Sequence, residues 1–250
     1  MARYALLHDE VNDYVSYSNA NMGVASGADV TIGTFIKVPD NSGSRFKYFI
    51  SNGSFTGAGT FNAYISEGDQ NSKINIAVEE GSMSVGPFNW STEKCVIYQR
   101  SGGAWSVWVG DTGEVLTNYP LLSSSSSLNS SGWETGRRAD GNPDRHHGGN
   151  LSRFWKANRA VTQAEADDIA SGTNPATVLG SDIVANYLFD EGAGDTVNDT
   201  ESANTGTLNN FPIDDSEWIL VSGTTGPATP INLGVTNLQA TSARLTWEQG

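Results

Sequence analysis

Apolar and polar residues alternate along most of this chain, and the alternation starts early. Asp13-Tyr-Val-Ser-Tyr17 and Asp29-Val-Thr-Ile-Gly-Thr-Phe-Ile-Lys-Val38 send successive side chains to opposite faces, and turn-forming Asn, Gly, Pro or Asp closes each run. A period of two bounded by turn residues predicts half-buried strands. Phe46–Ser51, Thr60–Ser66, Lys73–Glu79, Lys94–Arg100 and Ala104–Gly110 repeat the pattern. The intervening Ser51–Gly59, Glu67–Ser72 and Ser101–Gly103 are rich in Gly, Asn or Ser, which predicts turns and antiparallel hairpins. In Trp105-Ser-Val-Trp-Val109, Trp105, Val107 and Val109 share one face and Trp108 takes the other. Both faces of that strand are therefore expected to be covered.

Three segments break the alternation. Thr162-Gln-Ala-Glu165 is a capping box, in which the Thr hydroxyl and the Glu carboxylate satisfy exposed backbone N–H groups reciprocally. With Val161 placed to staple against Ala166 and Gly172 to end the run, one short helix is predicted over residues 163–170. The Ser123–Ser127 run has only small polar side chains and reads as a mobile surface loop. Past Trp218-Ile-Leu-Val221, Ser222-Gly-Thr-Thr-Gly-Pro-Ala-Thr-Pro230 has nothing to bury and reads as a linker. Alternation then resumes in Ile231–Gly250 as two strands, too few to be stable alone in water.

Composition narrows the fold to one class. Of the residues, 37% are hydrophobic and 28 are glycines, the profile of many short strands joined by tight turns. The net charge of −14 repels phosphate backbones and anionic lipid, so neither nucleic acid nor membrane insertion is expected. Cys95 is the only cysteine, so no intrachain disulfide forms; within Lys94–Gln99 it reads as a core thiol rather than a nucleophile. Met1–His8 is too short an apolar run for a secretory signal, and folding in the compartment of synthesis is the expectation.

Candidate chemistry is sparse. Glu67 with Asp69 and Glu79 with Glu80 are paired carboxylates at hairpin ends, where acidic side chains are ordinarily solvated. His8 is isolated in sequence, which leaves no metal or catalytic triad. Trp133 with Arg145, His146 and His147 can form a stacking platform with polar edges for a glycan. Against that stand Trp133 as a plug for the end of a sandwich and the histidines as exposed loop residues pointing oppositely. Asp190, Asp195 and Asp199, with Glu191, Glu201 and Asn204 nearby, offer oxygen ligands for calcium on a glycine-containing loop, and suit a solvated acidic turn equally well.

Three landmarks resemble the concanavalin A-like, laminin G-like jelly-roll family. They are the opening strands at 13–17 and 30–37, the run Gly149-Asn-Leu-Ser-Arg-Phe-Trp-Lys-Ala-Asn-Arg-Ala-Val-Thr-Gln-Ala-Glu165, and Tyr187-Leu-Phe-Asp-Glu-Gly-Ala-Gly-Asp195 with Asp199 and Gly206-Thr-Leu208. Lys156 and Ala157 depart from the pattern, standing where apolar and aromatic residues are usual. The resemblance implies an all-β, two-sheet antiparallel jelly-roll sandwich over residues 1–221, with calcium near the rim carrying the acidic loop. Pro230–Trp247 resembles the first two strands of a fibronectin type III domain, giving a linker at 222–229 and an incomplete second domain at 230–250.

Some relatives of this jelly roll are glycosidases with carboxylates paired on one strand; no such string occurs here, and a non-enzymatic module is expected. An adhesive-type domain without an export signal or a disulfide fits a phage virion surface protein, either a capsid decoration or a tail-associated adhesin. Its partners would be glycan or other virion proteins, with a homo-oligomer on the particle as one arrangement. The alternative is a lectin-like accessory module of a secreted carbohydrate-active enzyme, and a hydrolase with unrecognised acids is a third.

Overall fold

A computed structural model describes residues 3–9, 11–38, 46–53, 55, 57–66, 72–141 and 145–221. The expected linker and fibronectin-like stub lie outside the described residues, as do Glu67 and Asp69. In chain order the strands are β1 (Arg3–Asp9), β2 (Tyr14–Tyr17), β3 (Val30–Lys37), β4 (Phe46–Ser51), β5 (Phe61–Ser66), β6 (Lys73–Val78), β7 (Gly81–Val85) and β8 (Lys94–Ser101). They continue with β9 (Ala104–Asp111), β10 (Thr117–Ser123), β11 (Trp133–Thr135), β12 (Gly148–Ala157), β13 (Ile183–Tyr187), β14 (Thr196–Asn198), β15 (Thr205–Asn209) and β16 (Trp218–Val221). Two helices, α1 (Gln163–Ala170) and α2 (Pro175–Leu179), fall between β12 and β13.

The strands form two eight-stranded sheets. Sheet A runs β10-β9-β8-β3-β12-β1-β16, with β13 paired to β12; sheet B runs β14-β15-β2-β11-β4-β5-β6-β7. Every strand pair recorded in both sheets is antiparallel. This is the jelly-roll sandwich expected from the alternation, in which two apolar faces close on each other and remove both from water. Trp105, Val107 and Val109 of β9 join Ile32, Val96, Tyr98 and Phe154 of sheet A, and Phe49, Phe61, Ile65 and Ile76 of sheet B, in that shared core.

Sheet A has a second apolar layer on its other side. Phe35, Cys95, Ile97, Trp108 and Trp155 pack beneath Val161, Ala166, Ile169 and Leu179 of the helical segment. Trp108 thus takes the face opposite to Trp105, and burial pushes the Cys95 thiol far above its ordinary range. Backbone contact is close here: a Cβ on Gly33 would stand 2.0 Å from Cζ2 of Trp155, so only glycine lets the indole lie flat on β3.

Helix α1 spans the predicted residues and carries the predicted cap. Thr162 Oγ1 accepts from Glu165 N at 3.3 Å, and Glu165 Oε2 accepts from Thr162 N at 2.8 Å. Arg159 hydrogen-bonds the same carboxylate at 2.6 and 2.9 Å and draws its pKa down to about 2. Gly172, at φ +102°, donates to Ile169 O at 2.9 Å and ends the helix. The sequence does not announce α2, which has only one turn and a half; Asn174 caps it and Pro175 opens it.

One expectation needs correction, and one departure from the family pattern is accommodated. The Ser123–Ser127 stretch is tied down rather than mobile: Ser124 and Ser126 hydroxyls donate to Glu80, and Arg100 donates to Ser126 O. Arg100 is fully buried and also reaches Ala28 O at 2.8 Å and Ala25 O at 3.0 Å, so one guanidinium clamps two loops at the end of the sandwich. Lys156 and Ala157 do not loosen the end of β12, since both are fully buried. Lys156 Nζ reaches Asn158 Oδ1 at 2.7 Å and Asn21 O at 3.3 Å, and desolvation lowers its pKa to about 8.

Candidate functional site

Among the described residues, no helix covers the outer face of sheet B, which is built from side chains unlike those under α1. Alternation in β2 turns Val15 and Tyr17 into the core and leaves Tyr14 and Ser16 outward. The neighbouring positions are Glu134 of β11, opposite Ser16, and Thr207 and Asn209 of β15. Further along the sheet the outward positions become aromatic. Tyr48 and Tyr64 stack at 4.7 Å, and Phe46 and Phe55 flank Tyr64 at 5.7 and 6.0 Å.

A hairpin extension between β11 and β12 delivers arginines onto this face. Its arms join through Arg138 N to Arg145 O at 3.0 Å, His147 N to Gly136 O at 2.7 Å, and a bridge between Arg137 and His146. At its base Gly136 has φ +91°, and a Cβ there would lie 2.4 Å from the His8 ring. The guanidinium of Arg137 lies 3.3 Å from the centre of the Tyr14 ring and makes a paired contact with Glu134 at 2.6 and 2.9 Å. Burial works against its charge, but hydrogen bonding to Glu134 outweighs that and holds its pKa above the ordinary value. Arg138 bonds Asp140 at 2.8 Å and lies 5.6 Å above Tyr48, while Arg145 lies 4.4 Å above Phe46.

Among the described residues of the hairpin and its neighbouring strand, the guanidinium groups of Arg137 and Arg138 pair with the carboxylates of Glu134 and Asp140, and Arg145 lies beside them, in a chain whose net charge is −14. Tyr48 and Tyr64 are themselves buried, so the rings left half-buried are Tyr14, Phe46 and Phe55; with fixed guanidinium donors and neighbouring hydroxyls and amides they make a surface that can contact a sugar ring and bond its hydroxyls. Arg145 is the one residue of the sequence-derived glycan set that contributes to it.

The other three are turned inward. Trp133 is 1% exposed, sits 5.8 Å from Phe61 in the core, and donates Nε1–H to Asn129 O at 2.8 Å, so it plugs the sandwich and offers no face to a sugar. His146 and His147 are buried, contrary to the exposed-loop reading, because the hairpin folds its base into the sandwich. They do point apart: His147 packs against Phe49 and His8, whereas His146 lies by Arg137 and the backbone of Asp13. Desolvation lowers the pKa of all three histidines, to about 4 for His8.

The calcium set does not converge. Among the described residues no group of three His, Cys, Asp or Glu side chains is placed to hold a metal ion. Asp199 instead serves the fold: its carboxylate accepts from Asn186 N and Asn19 Nδ2 at 2.9 Å, Glu201 N at 3.0 Å and Ser202 Oγ at 2.6 Å. Asp190 is exposed, and Asp195 is exposed with its backbone oxygen engaged by Leu208 N. Sequence reasoning missed Tyr14, Arg137 and Arg138. The outward parity of Tyr14 and the Arg137-Arg138 pair were visible signals, but the pairing of β11 with β2 that joins them was not.

No family model matches the chain, and no curated protein matches its sequence. Solved structures do match. A Bacteroides ovatus protein provisionally assigned to carbohydrate binding aligns over 83% of this chain at 16% identity and a TM-score of 0.63. The chain spans 58% of that protein's length. The enzymatically active domain of tailspike protein 2 from bacteriophage CBA120 aligns over 70% of this chain and 28% of its own, at 12% identity and a TM-score of 0.49. Domains LG4-5 of mouse laminin α1 align over 62% and 41%, at 9% identity and 0.42. The fold is thus a two-sheet antiparallel β-sandwich jelly roll, shared with the Bacteroides ovatus protein.

Proposed function

We propose that this chain is a non-enzymatic binding module that takes carbohydrate on the outer face of sheet B. The observation that carries the reading is the Tyr14–Arg137–Glu134 unit beside Ser16, Thr207 and Asn209, where a ring, a fixed guanidinium and hydroxyl and amide groups stand together on one half-exposed face. The shared fold with a protein provisionally assigned to carbohydrate binding supports it. For the setting we favour the surface of a phage particle, since a sandwich with one buried thiol and no disulfide suits assembly in a reducing cytoplasm. The accessory module of a secreted carbohydrate-active enzyme needs the same face and is separated by the chain's presence in purified virions.

The test is a glycan array followed by calorimetry on the best ligand. Tyr14→Ala is expected to weaken that ligand about tenfold, roughly 1.4 kcal/mol, while leaving the urea midpoint nearly unchanged. An array without binders, or a Tyr14→Ala variant that binds as well as the parent, would sink the reading.

A further inference from the structure

One residue beyond Asn209, the segment after β15 packs against the loop before β14 and lines an open cavity of about 400 Å³. Leu208, Phe211, Pro212 and Ile213 form apolar wall, and Asp195, Asp215 and Glu217 supply carboxylates. Among the described residues, no lysine, arginine or histidine lines it. The walls are fixed by hydrogen bonds: Gly194 N donates to Asp215 Oδ1 at 2.7 Å, Leu208 N to Asp195 O at 2.8 Å, and Trp218 Nε1 to Gly194 O at 3.0 Å.

Glu217 is the anomaly. It is only 4% exposed, its backbone oxygen is held by Leu7 N at 2.9 Å, and no donor among the described residues reaches its buried Oε2. Asp13, 3% exposed and within electrostatic reach of Glu217, likewise has an oxygen, Oδ1, without a donor. A carboxylate withdrawn from water without a partner is costly unless a proton or a cation joins it. Burial, followed by the charges of Asp215 and Asp214, raises the pKa of Glu217, so a positive ligand would relieve the same repulsion.

The choice of cation follows from the walls. A bare metal ion needs several oxygens at one point, and the described residues bring no three such groups together. An ammonium needs acceptors at one end only, and a carbon stem behind it matches the apolar wall and a volume within the range of small-molecule sites. We propose that this cavity binds a primary alkylammonium group, its N–H donors meeting the carboxylates of Glu217 and Asp215 and its methylenes lying on Leu208 and Phe211. A free alkylamine, an amino sugar and the side chain of a partner's lysine all present that chemistry.

Titration of the whole chain with n-butylammonium chloride, glucosamine hydrochloride and Nα-acetyl-lysine methylamide, each against equal sodium chloride, tests the proposal by calorimetry and thermal shift. At least one amine is expected to bind saturably in the millimolar range and raise Tm, and the strongest arm identifies the source. Glu217→Gln keeps the side chain's shape, and is expected to weaken that amine about tenfold or more. If the variant misfolds, intermolecular NOEs between the amine's methylenes and the Phe211 ring of the parent protein decide the matter. No saturable binding by any arm, binding undiminished in folded Glu217→Gln, absence of those NOEs, or stabilisation by calcium chloride that no amine reproduces would each overturn it.

Discussion

The two sheets have the same number of strands, yet their outer faces are treated in opposite ways. Sheet A presents Phe35, Cys95, Ile97, Trp108 and Trp155 outward, and the segment from Val161 to Leu179 lies across them as a lid. Sheet B presents Tyr14 and Ser16 half-exposed beside Glu134, and further along it buries Tyr48 and Tyr64 in a small cluster with Phe46 and Phe55, with arginines of the hairpin extension above the rings. A face of aliphatic groups and indoles exposed to water carries a free-energy cost that a lid removes, whereas a face of hydroxyls, amides and paired ions has no such need. The second apolar layer lies on one side of the molecule and the proposed recognition surface on the other.

That division predicts unequal responses to truncation. Trp155→Ala removes a fully buried indole between β3 and α1 and is expected to lose about 3–5 kcal/mol in urea unfolding, the usual cost of emptying an aromatic core site. Gly33→Ala attacks the same contact from the strand side and is expected to destabilise by forcing the ring to move. Tyr14→Ala on the other sheet is expected to lose no more than about 0.5 kcal/mol, because its ring is already half in solvent. Equal losses on the two faces would break the comparison.

Acid should separate the faces further. His8, His146 and His147 are held neutral at the base of the arginine-bearing hairpin, while the lid contains no histidine. In the unfolded chain these groups titrate near 6.5, so between that pH and about 4 the unfolded state binds more protons and stability falls as the solution is acidified. Asp13 acts in the opposite sense: burial and the Asp9 charge raise its pKa to about 7, so its protonated form favours the fold as pH drops through that value. Glu217 is raised in the same sense as Asp13, so the two carboxyls offset part of the effect of the three histidines, of which His147, buried and facing His8 and Lys47, is lowered well below its ordinary value. Glu165, depressed to about 2, gives the lid a contribution that is full above its ordinary pKa and persists until the pH falls toward 2. Hydrogen exchange at pH 5 is expected to show backbone amides of 136–138 and 145–148 losing protection before those of α1. Loss of protection in the reverse order would contradict the assignment, as would a His147→Phe variant as acid-sensitive as the parent.

How much of this was legible in the sequence follows from the range of each interaction. The strands at 14–17, 30–37 and 94–111, the parity of Trp105 against Trp108, and helix α1 with its Thr162–Glu165 cap are local patterns, and all were readable. The sites were not, because they depend on contacts distant in sequence. Trp133 reads as either a platform or a plug until β11 is seen between β2 and β4, which drives its indole into the core as the plug. Arg100 looks like an ordinary strand cation until its guanidinium meets carbonyls at 25, 28 and 126. Asp199 matches a calcium ligand in composition, but four protein donors already occupy its oxygens.

The smallest effect sharpens the comparison most, because it touches the lid without touching the sandwich. Thr162→Ala removes one side of the capping box, exposing the Glu165 N–H and freeing the Glu165 carboxylate to turn wholly toward Arg159. The cost expected in urea unfolding is about 1 kcal/mol, typical for loss of a helix N-cap. Since α1 packs on the outer side of sheet A and the Tyr14–Arg137 unit lies on the outer side of sheet B, with the shared core between them, affinity for the glycan should not change. A Thr162→Ala protein that loses binding in proportion to stability would show that the two faces are coupled through the sandwich, and that the lid helps to shape the recognition surface as well as to protect its own sheet.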